Sequence, residues 1–281
     1  MRIAVLSDIH GNLPALQAVL ADLDNWRADK VIVNGDVVNR GPNSLQCLDI
    51  ICERIVTEDW QVVAGNHEEF VLHCADNPPG KSVVDDQFRL FTDWTVAQLG
   101  DAVDWLREWP EGISFSGHDG SVVEVRHGSV LGSRDGIHRD MSASDLSDRV
   151  MENCALFLTA HTHTAFRRSH GGRLIVNSGS VGAPFDRDRR ACYSRITWRQ
   201  DHLHAEEVRV DYDIGSARQN FVDTGFLDEA GPFAALFLAE LFHARHLTRE
   251  WSLTHESAAR AGKQTLENSI YRFLSAIGVN P

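Results

Sequence analysis

The 281-residue chain has no Cys-x-x-Cys pair, and its five cysteines (Cys47, Cys52, Cys74, Cys154 and Cys192) are odd in number and scattered. That pattern argues against a disulfide framework and reads as reduced, mostly buried thiols in a reducing cytoplasm. No apolar run reaches membrane-spanning length, and no basic, apolar leader stands ahead of MRIAVLSDIH, which enters a strand pattern directly. An excess of positive charge is also missing. The formal net charge of -13 argues against a broad footprint on duplex nucleic acid or an anionic membrane. No internal repeat or low-complexity tract occurs, and the 43% hydrophobic and 24% charged composition is that of a folded globular chain. A soluble cytoplasmic protein is expected. Small anionic substrates stay open to it, because a bound metal dominates the field inside a pocket whatever the net charge.

What is present is a rhythm of short β-branched runs, each ending in a polar cluster. They are residues 3–7, 31–34, 61–64, 122–126, 155–159 and 173–177. Continuous apolar runs suit strands buried on both faces. After the first run Asn12 can cap a helix, with Pro14 in its first turn and Leu13, Leu16, Val19, Leu20 and Leu23 at helical spacing; residues 44–56 repeat the pattern. Alternating strand and helix predicts an α/β layered fold. Residues 191–198 and 202–210 read as a β-hairpin about a short polar turn. The expected organisation is a domain over 1–227, interrupted by a Trp-rich helical insertion at about 75–110, and a helical C-terminal extension over 228–281 packing on it.

In open α/β sheets, ligands bind beyond the carboxyl ends of the strands. The residues there are Asp8 and His10, Asp36, Asn66 and His67, His127, and His161 and His163. Singly, each has a bland reading: Gly-Asp is a common turn, and Asn-His commonly caps a helix. Five such clusters at five strand ends make coincidence improbable. In extended chain, residues two apart face the same side, so Asp8 and His10 can address one point, as can His161 and His163 if the strand continues past Thr159. The donor set is carboxylate, imidazole and one amide oxygen, without thiolate. It suits Mn, Fe, Zn or Co better than magnesium or a structural zinc site. Seven donors (Asp8, His10, Asp36, Asn66, His127, His161, His163) suffice for two ions if a carboxylate bridges, and ions about 3.5–4 Å apart can stabilise both attacking and leaving oxygens of an in-line displacement.

The order Asp-x-His, Gly-Asp, Gly-Asn-His-Glu, His and His-x-His resembles the calcineurin-like metallophosphoesterase superfamily, in particular its small prokaryotic phosphodiesterase-type branch. The resemblance runs from Met1 to about Asp213. It implies a layered β-sandwich flanked by helices and two divalent transition-metal ions (Mn, Fe, Zn, Co or Ni, with Mn or Fe favoured). By the same resemblance, Asp8, His10 and His163 hold one ion and Asn66, His127 and His161 the other, with Asp36 bridging and also catalytic. A water or hydroxide between the ions attacks phosphorus. His67 stands beside the leaving group as proton donor or charge stabiliser; its plainer reading is a residue packing under the loop and capping the next helix.

Departures from the family pattern refine the expectation. NGDVVNRGP resembles a stretch of Ser/Thr protein phosphatases and diadenosine tetraphosphatases, with Asn39 where an Asp orients the catalytic histidine and Arg40 where an Arg contacts phosphate; Asn39 and Arg40 are thus candidate substrate-side residues. An amide at 39 is expected to accept a hydrogen bond from His67 without bringing charge. Glu69, Phe70 and Val71 follow where the protein phosphatases supply another Arg, and His163 sits where they lack a ligand. Fewer arginines favour diesters over monoester dianions. The leading expectation is a phosphodiesterase acting on a small or nucleotide-type substrate. The alternatives are a dinucleoside polyphosphate hydrolase or phosphoprotein phosphatase, and a catalytically inert metal-binding scaffold. Ala160 replaces the glycine usual before the His-x-His pair. Phe88, Phe91, Trp94 and Trp105 either stack on a base as a lid or pack helices onto the sheet. The stretch around Phe237 and Leu241 covers the domain's own edge or forms a homodimer interface. Of the remaining histidines, His118 and His246 among them, only His138 follows a motif loop closely enough to approach substrate; the rest read as surface or hydrogen-bonded side chains.

Overall fold

The computed structural model describes residues 1–80, 83–117, 119–199 and 202–279; Lys81, His118 and the expected hairpin turn at 200–201 lie outside the described residues. The strands are β1 Arg2–Leu6, β2 Lys30–Asn34, β3 Gln61–Val63, β4 Gly112–Ser116, β5 Val122–Arg126, β6 Leu156–Thr159, β7 Phe166–His170, β8 Arg173–Asn177, β9 Ala191–Arg199 and β10 His202–Val210. They form two five-stranded sheets, ordered β10-β9-β1-β2-β3 and β4-β5-β6-β8-β7. β1, β2 and β3 pair in parallel, as do β5, β6 and β8, so each sheet delivers several carboxyl ends to one edge.

Alternation along the strands builds the layers. Ile3 and Val5 of the first sheet meet Val123, Val125, Leu156 and Leu158 of the second in a shared core, which makes the pair a sandwich. Ala4 and Leu6 face the other way, onto helices α1 (Leu13–Trp26) and α2 (Ser44–Glu58). Asn12 Oδ1 accepts the Ala15 N–H at 3.2 Å, the cap expected for α1. β4 and β7 escaped the sequence reading. Both are edge strands, and GISFS and FRRSH have the exposed alternation of an edge rather than an apolar run.

α3 (Asn66–Asp76) starts at the GNHE motif, and α4 (Val83–Leu99) with a 3₁₀ segment over Gly100–Glu108 makes the stretch at about 75–110 helical. A short α5 (Ala143–Ser147) covers the second sheet, and α6 (Ile214–Asp223), α7 (Phe226–Glu229), α8 (Phe233–His243), α9 (Leu247–Trp251), α10 (Ser257–Arg260) and α11 (Leu266–Ala276) follow β10. Phe88, Phe91 and Trp94 of α4 pack on Phe233, Phe237 and Phe226 with ring centroids 5.5, 5.0 and 4.8 Å apart. These three aromatics do pack, but helix on helix against the C-terminal segment rather than onto the sheet as expected, while Trp105 is exposed. Phe237 and Leu241 are buried against the chain itself, so at these positions α8 covers its own domain. Among the described residues no helix is long and apolar enough to cross a membrane, and all five cysteines are buried free thiols.

One buried ion pair joins the C-terminal helices to the motif loops. Arg40 donates to Glu240 of α8, and Glu240 also accepts the Thr248 N–H at 2.7 Å. The guanidinium lies against the rings of Phe237 and Phe185, 4.7 and 5.6 Å from their centroids. Breaking a buried pair strands the surviving charge. Glu240→Ala is therefore expected to cost about 3–5 kcal/mol in urea unfolding; an unchanged midpoint would show that Arg40 finds water instead.

Candidate metal centre

The strands stop short of the motifs. β1 ends at Leu6 and β6 at Thr159, and the backbone then turns left-handed at Asp8 (φ 51°), His10 (φ 49°), Asp36 (φ 57°), His161 (φ 63°) and His163 (φ 55°). The expectation that these pairs converge because the chain stays extended is therefore corrected: each pair is aimed by positive-φ residues in the turn. Such backbone is unfavourable for residues with a Cβ and is held in place by its surroundings. Ala160 is not among the positive-φ residues, so its methyl group brings no backbone strain.

These turns bring all seven sequence-predicted donors together. Asp8, His10, Asp36 and His163 offer ligand atoms within 4.8 Å of one another, as do Asp36, His127 and His161, with Asp36 common to both groups. His10 Nε2 lies 3.2 Å from His163 Nε2 and 3.6 Å from Asp36 Oδ2; His127 Nε2 lies 3.3 Å from Asp36 Oδ2. Asn66 Oδ1 joins the second group, 3.2 Å from His127 Nε2 and 2.7 Å from His161 Nδ1.

Hydrogen bonds outside the cluster decide what these atoms can do. Carbonyl oxygens accept from Nδ1 of His127 (Asn34 O, 2.8 Å) and of His163 (Ala183 O, 2.6 Å), which turns their Nε2 lone pairs inward. His163 Nε2 then meets Asp8 Oδ1 at 3.1 Å, and neither Asp8 oxygen has a hydrogen-bond donor. Acceptor faces acceptor in a buried space, which suits a cation between them. Burial holds His10 well below the usual imidazole range and His161 at about 4, so both keep lone pairs available. Burial opposes charge on His127 too, yet Asp36 and Asp8 raise it to about 10; the cluster draws in positive charge, as a proton or as a metal. The donor set fits divalent transition-metal ions.

Glu68, quoted in the Gly-Asn-His-Glu stretch but given no role in the sequence reading, ties the two sides together. Its carboxylate accepts the N–H groups of Asp36 (2.7 Å), Gly65 (2.8 Å), Val37 (2.8 Å) and Val38 (3.2 Å), fixing the β2 loop to the start of α3. Its place three residues past Gly65 is the capping position that could have revealed it. Gly65 is needed for close approach, since a Cβ there would collide with Asp36 Oδ1.

His67 points into the site edge-on to His10, ring centroids 4.8 Å apart. Asn39 lies fully buried behind it rather than at the substrate. Asn39 Oδ1 accepts the Arg40 N–H (3.1 Å) and the Thr95 hydroxyl (3.2 Å), leaving Nδ2 to donate to Thr92 (3.0 Å) and to His67 Nδ1 (3.1 Å). The expected direction of the Asn39–His67 hydrogen bond is thus reversed: Nδ1 accepts, so a neutral His67 presents Nε2–H to the pocket. Burial, with Arg40 nearby and against the pull of Asp36, pushes His67 down to about 3.

The centre opens into a cavity of about 830 Å³. Its wall includes His138, which was expected near substrate, and Arg40, whose guanidinium is committed to Glu240. Phe88, Phe91, Trp94 and Trp105 take no part in it. The sequence reading missed Arg134, Arg187, Arg245, His246 and Arg249, which also line it. Nothing in their local sequence marks them, and the argument for diesters from scarce arginines loses its premise.

Residues 1–201 match the family model described as calcineurin-like phosphoesterase superfamily domain. An uncharacterized protein of Methanocaldococcus jannaschii is 29% identical over 244 residues, 78% of this chain and 91% of that one. The symmetrical bis(5'-nucleosyl)-tetraphosphatase of Pectobacterium atrosepticum is 34% identical over 107 residues, 38% of this chain and only 36% of the relative's length. Among solved structures, a metallophosphoesterase from Sphaerobacter thermophilus superposes with a TM-score of 0.66 at 25% identity, covering 87% of this chain and all of that one.

Two outcomes test the centre. His163→Ala is expected to lower bound metal from two ions to one per chain, measured by elemental analysis, because Asn66, His127 and His161 still surround the other position; loss of both would contradict that division. In Glu68→Gln an amide N–H₂ replaces one oxygen and faces two backbone N–H donors, an expected loss of about 2–3 kcal/mol in denaturant unfolding, together with weaker metal retention.

Proposed function

Because the chain belongs to the calcineurin-like phosphoesterase superfamily and is a phosphoester hydrolase, we propose that it acts as a two-metal phosphodiesterase on a small, nucleotide-type substrate. The observation that carries this is the pair of ligand groups sharing Asp36 at the floor of a cavity of about 830 Å³. Asp8, His10 and His163 would hold one ion and Asn66, His127 and His161 the other, with Asp36 available to both. When bound, two divalent cations lower the pKa of a coordinated water and stabilise the attacking and leaving oxygens. The oxygen and nitrogen donors without thiolate favour Mn or Fe, with Zn, Co and Ni also accommodated.

The chain's own residues do the rest. Asp36 Oδ1 accepts the His67 backbone N–H at 2.8 Å, so the residue that joins the two ligand groups also sets the position of the imidazole beside them. Asn39, held by Thr92 and Thr95, directs the Nε2–H of His67 at the pocket, where it donates to the departing oxygen. A neutral imidazole is a weaker acid than imidazolium, which favours leaving groups that part readily as anions. Arg40, the arginine of the NRGP stretch, is paired to Glu240 and so does not neutralise a terminal phosphate dianion, which leans towards a diester-type phosphorus even though other arginines line the cavity. A nucleotide-type substrate is supported by the similarity to the tetraphosphatase, whose printed name is for a bis(5'-nucleosyl) compound.

Protein reconstituted separately with Mn, Fe, Zn, Co and Ni and assayed on a chromogenic phosphodiester and its monoester is expected to turn over the diester faster. His67→Ala should lower that rate by about 100- to 10,000-fold with metal content unchanged. Faster monoester turnover would reverse the assignment, and an unaltered His67→Ala rate would remove His67 from the reaction.

A further inference from the structure

We propose that Arg187 and Arg249 form a second anion subsite at the rim of the metal pocket, so that the substrate is a chain of linked phosphates. One phosphorus of the chain reacts at the Asp36 centre while a more distant phosphate is gripped by this pair. The inference rests on the reading of the centre as a phosphoester hydrolase site and extends it to the class of substrate.

Charge is the first support. The chain carries a formal net charge of -13, yet five arginines line this one cavity. Two of them are already paired, Arg40 with Glu240 and Arg245 with Glu250. Arg134, Arg187 and Arg249 have no carboxylate partner among the described residues, and the nearby acids are already engaged: Asp135 with Arg149, Asp186 with Arg209 and Asp188 with Arg190. Unpaired guanidinium groups facing a cavity are suited to phosphate oxygens, which they meet as a planar two-pronged donor. Unpaired positive charge at the rim of one cavity, in a chain of net negative charge, draws a small anion to that spot while the rest of the surface repels extended polyanions such as duplex nucleic acid.

Rigidity is the second support. From the centre outward, His163 stacks on Phe185 and Phe185 on His246, with centroids 4.3 and 4.2 Å apart and planes within 9° and 12°. This column ties the start of α9, which bears Arg249, to a metal-side histidine. The Arg187 N–H donates to Ala244 O at 2.9 Å, at the junction of α8 and α9, and both residues are left-handed (φ 70° and 46°). Two left-handed residues held against each other fix the backbone that carries Arg187 to the α8–α9 junction, so the exposed side chains of Arg187 and Arg249 spring from a braced wall rather than a loose loop. The wall and the floor belong to one cavity, so an anion at Arg187 and Arg249 remains within the reach of a single small molecule whose other end lies at His67.

Calorimetry on the metal-loaded protein in excess metal provides the test, with inorganic triphosphate and orthophosphate as probes. Wild type is expected to bind triphosphate at least about tenfold more tightly than orthophosphate, and Arg187→Gln/Arg249→Gln to lose most of that advantage while keeping its orthophosphate affinity. Arg27→Gln/Arg272→Gln, which removes the same charge from exposed positions elsewhere, is expected to keep it. Equal triphosphate affinity in wild type and the rim variant, or equal loss in both variants, overturns the subsite. A dinucleoside tetraphosphate in place of triphosphate tells a chain with nucleoside ends from a bare one, and the rim variant should weaken both. Absence of phosphodiester turnover by wild type would sink the reading of the reaction, while the calorimetric comparison decides the subsite independently.

Discussion

His163 Nε2 and Asp8 Oδ1 stand 3.1 Å apart with no proton to share, because the other nitrogen of His163 is given to the Ala183 carbonyl. That crowding of acceptors, continued around Asp36 by His127 and Asn66, where either a proton on His127 or a cation must come between them, is the constraint on which the rest of the molecule turns. Buried acceptors without donors are unstable unless positive charge comes between them. The raised His127 imidazole expresses the same demand.

Holding acceptors that close takes support from many directions. Two sheets meet so that the ends of β1, β2, β3, β5 and β6 reach one edge, and left-handed turns aim the side chains inward. Glu68 collects four backbone N–H groups and so locks the Asp36 loop to α3; Gly65 lets the two approach. Of the eleven non-glycine residues with positive φ among those described, seven lie in the motif loops and two more, Arg187 and Ala244, at the pocket rim. Strain is concentrated where the chemistry is, as expected when the surrounding fold over-determines the geometry.

The C-terminal helices change how the motif loops are read. Arg40, in a stretch that resembles a phosphate-contacting one, is drawn out of that role by Glu240, and Asn39 is turned from the substrate to the back of His67. In exchange, the α8–α9 connection, α9 and the loop before β9 bring Arg245, Arg249 and Arg187 to the same cavity. Part of the positive charge lost from the motif loop reappears on Arg245 and Arg249, beyond the region matched by the family model.

Donor identity and the succession of apolar strands that carry the donors were legible in the chain itself. An apolar run ending in Asp-x-His or His-x-His is a local pattern, and local patterns survive in sequence because strand burial and turn chemistry act on neighbours. The edge strands β4 and β7 were not legible, since an edge carries no apolar signature. Glu68 had its capping position as a signal but its purpose depends on Asp36, thirty-two residues away, whose N–H it accepts. The partner of Arg40, the reversed Asn39 hydrogen bond and the arginine rim join residues up to two hundred positions apart. Sequence by itself determined which atoms could bind a cation. Only the tertiary structure decided which of them meet without a proton between them and what charge surrounds the space above, because hydrogen-bond direction and charge pairing are set by neighbours in space.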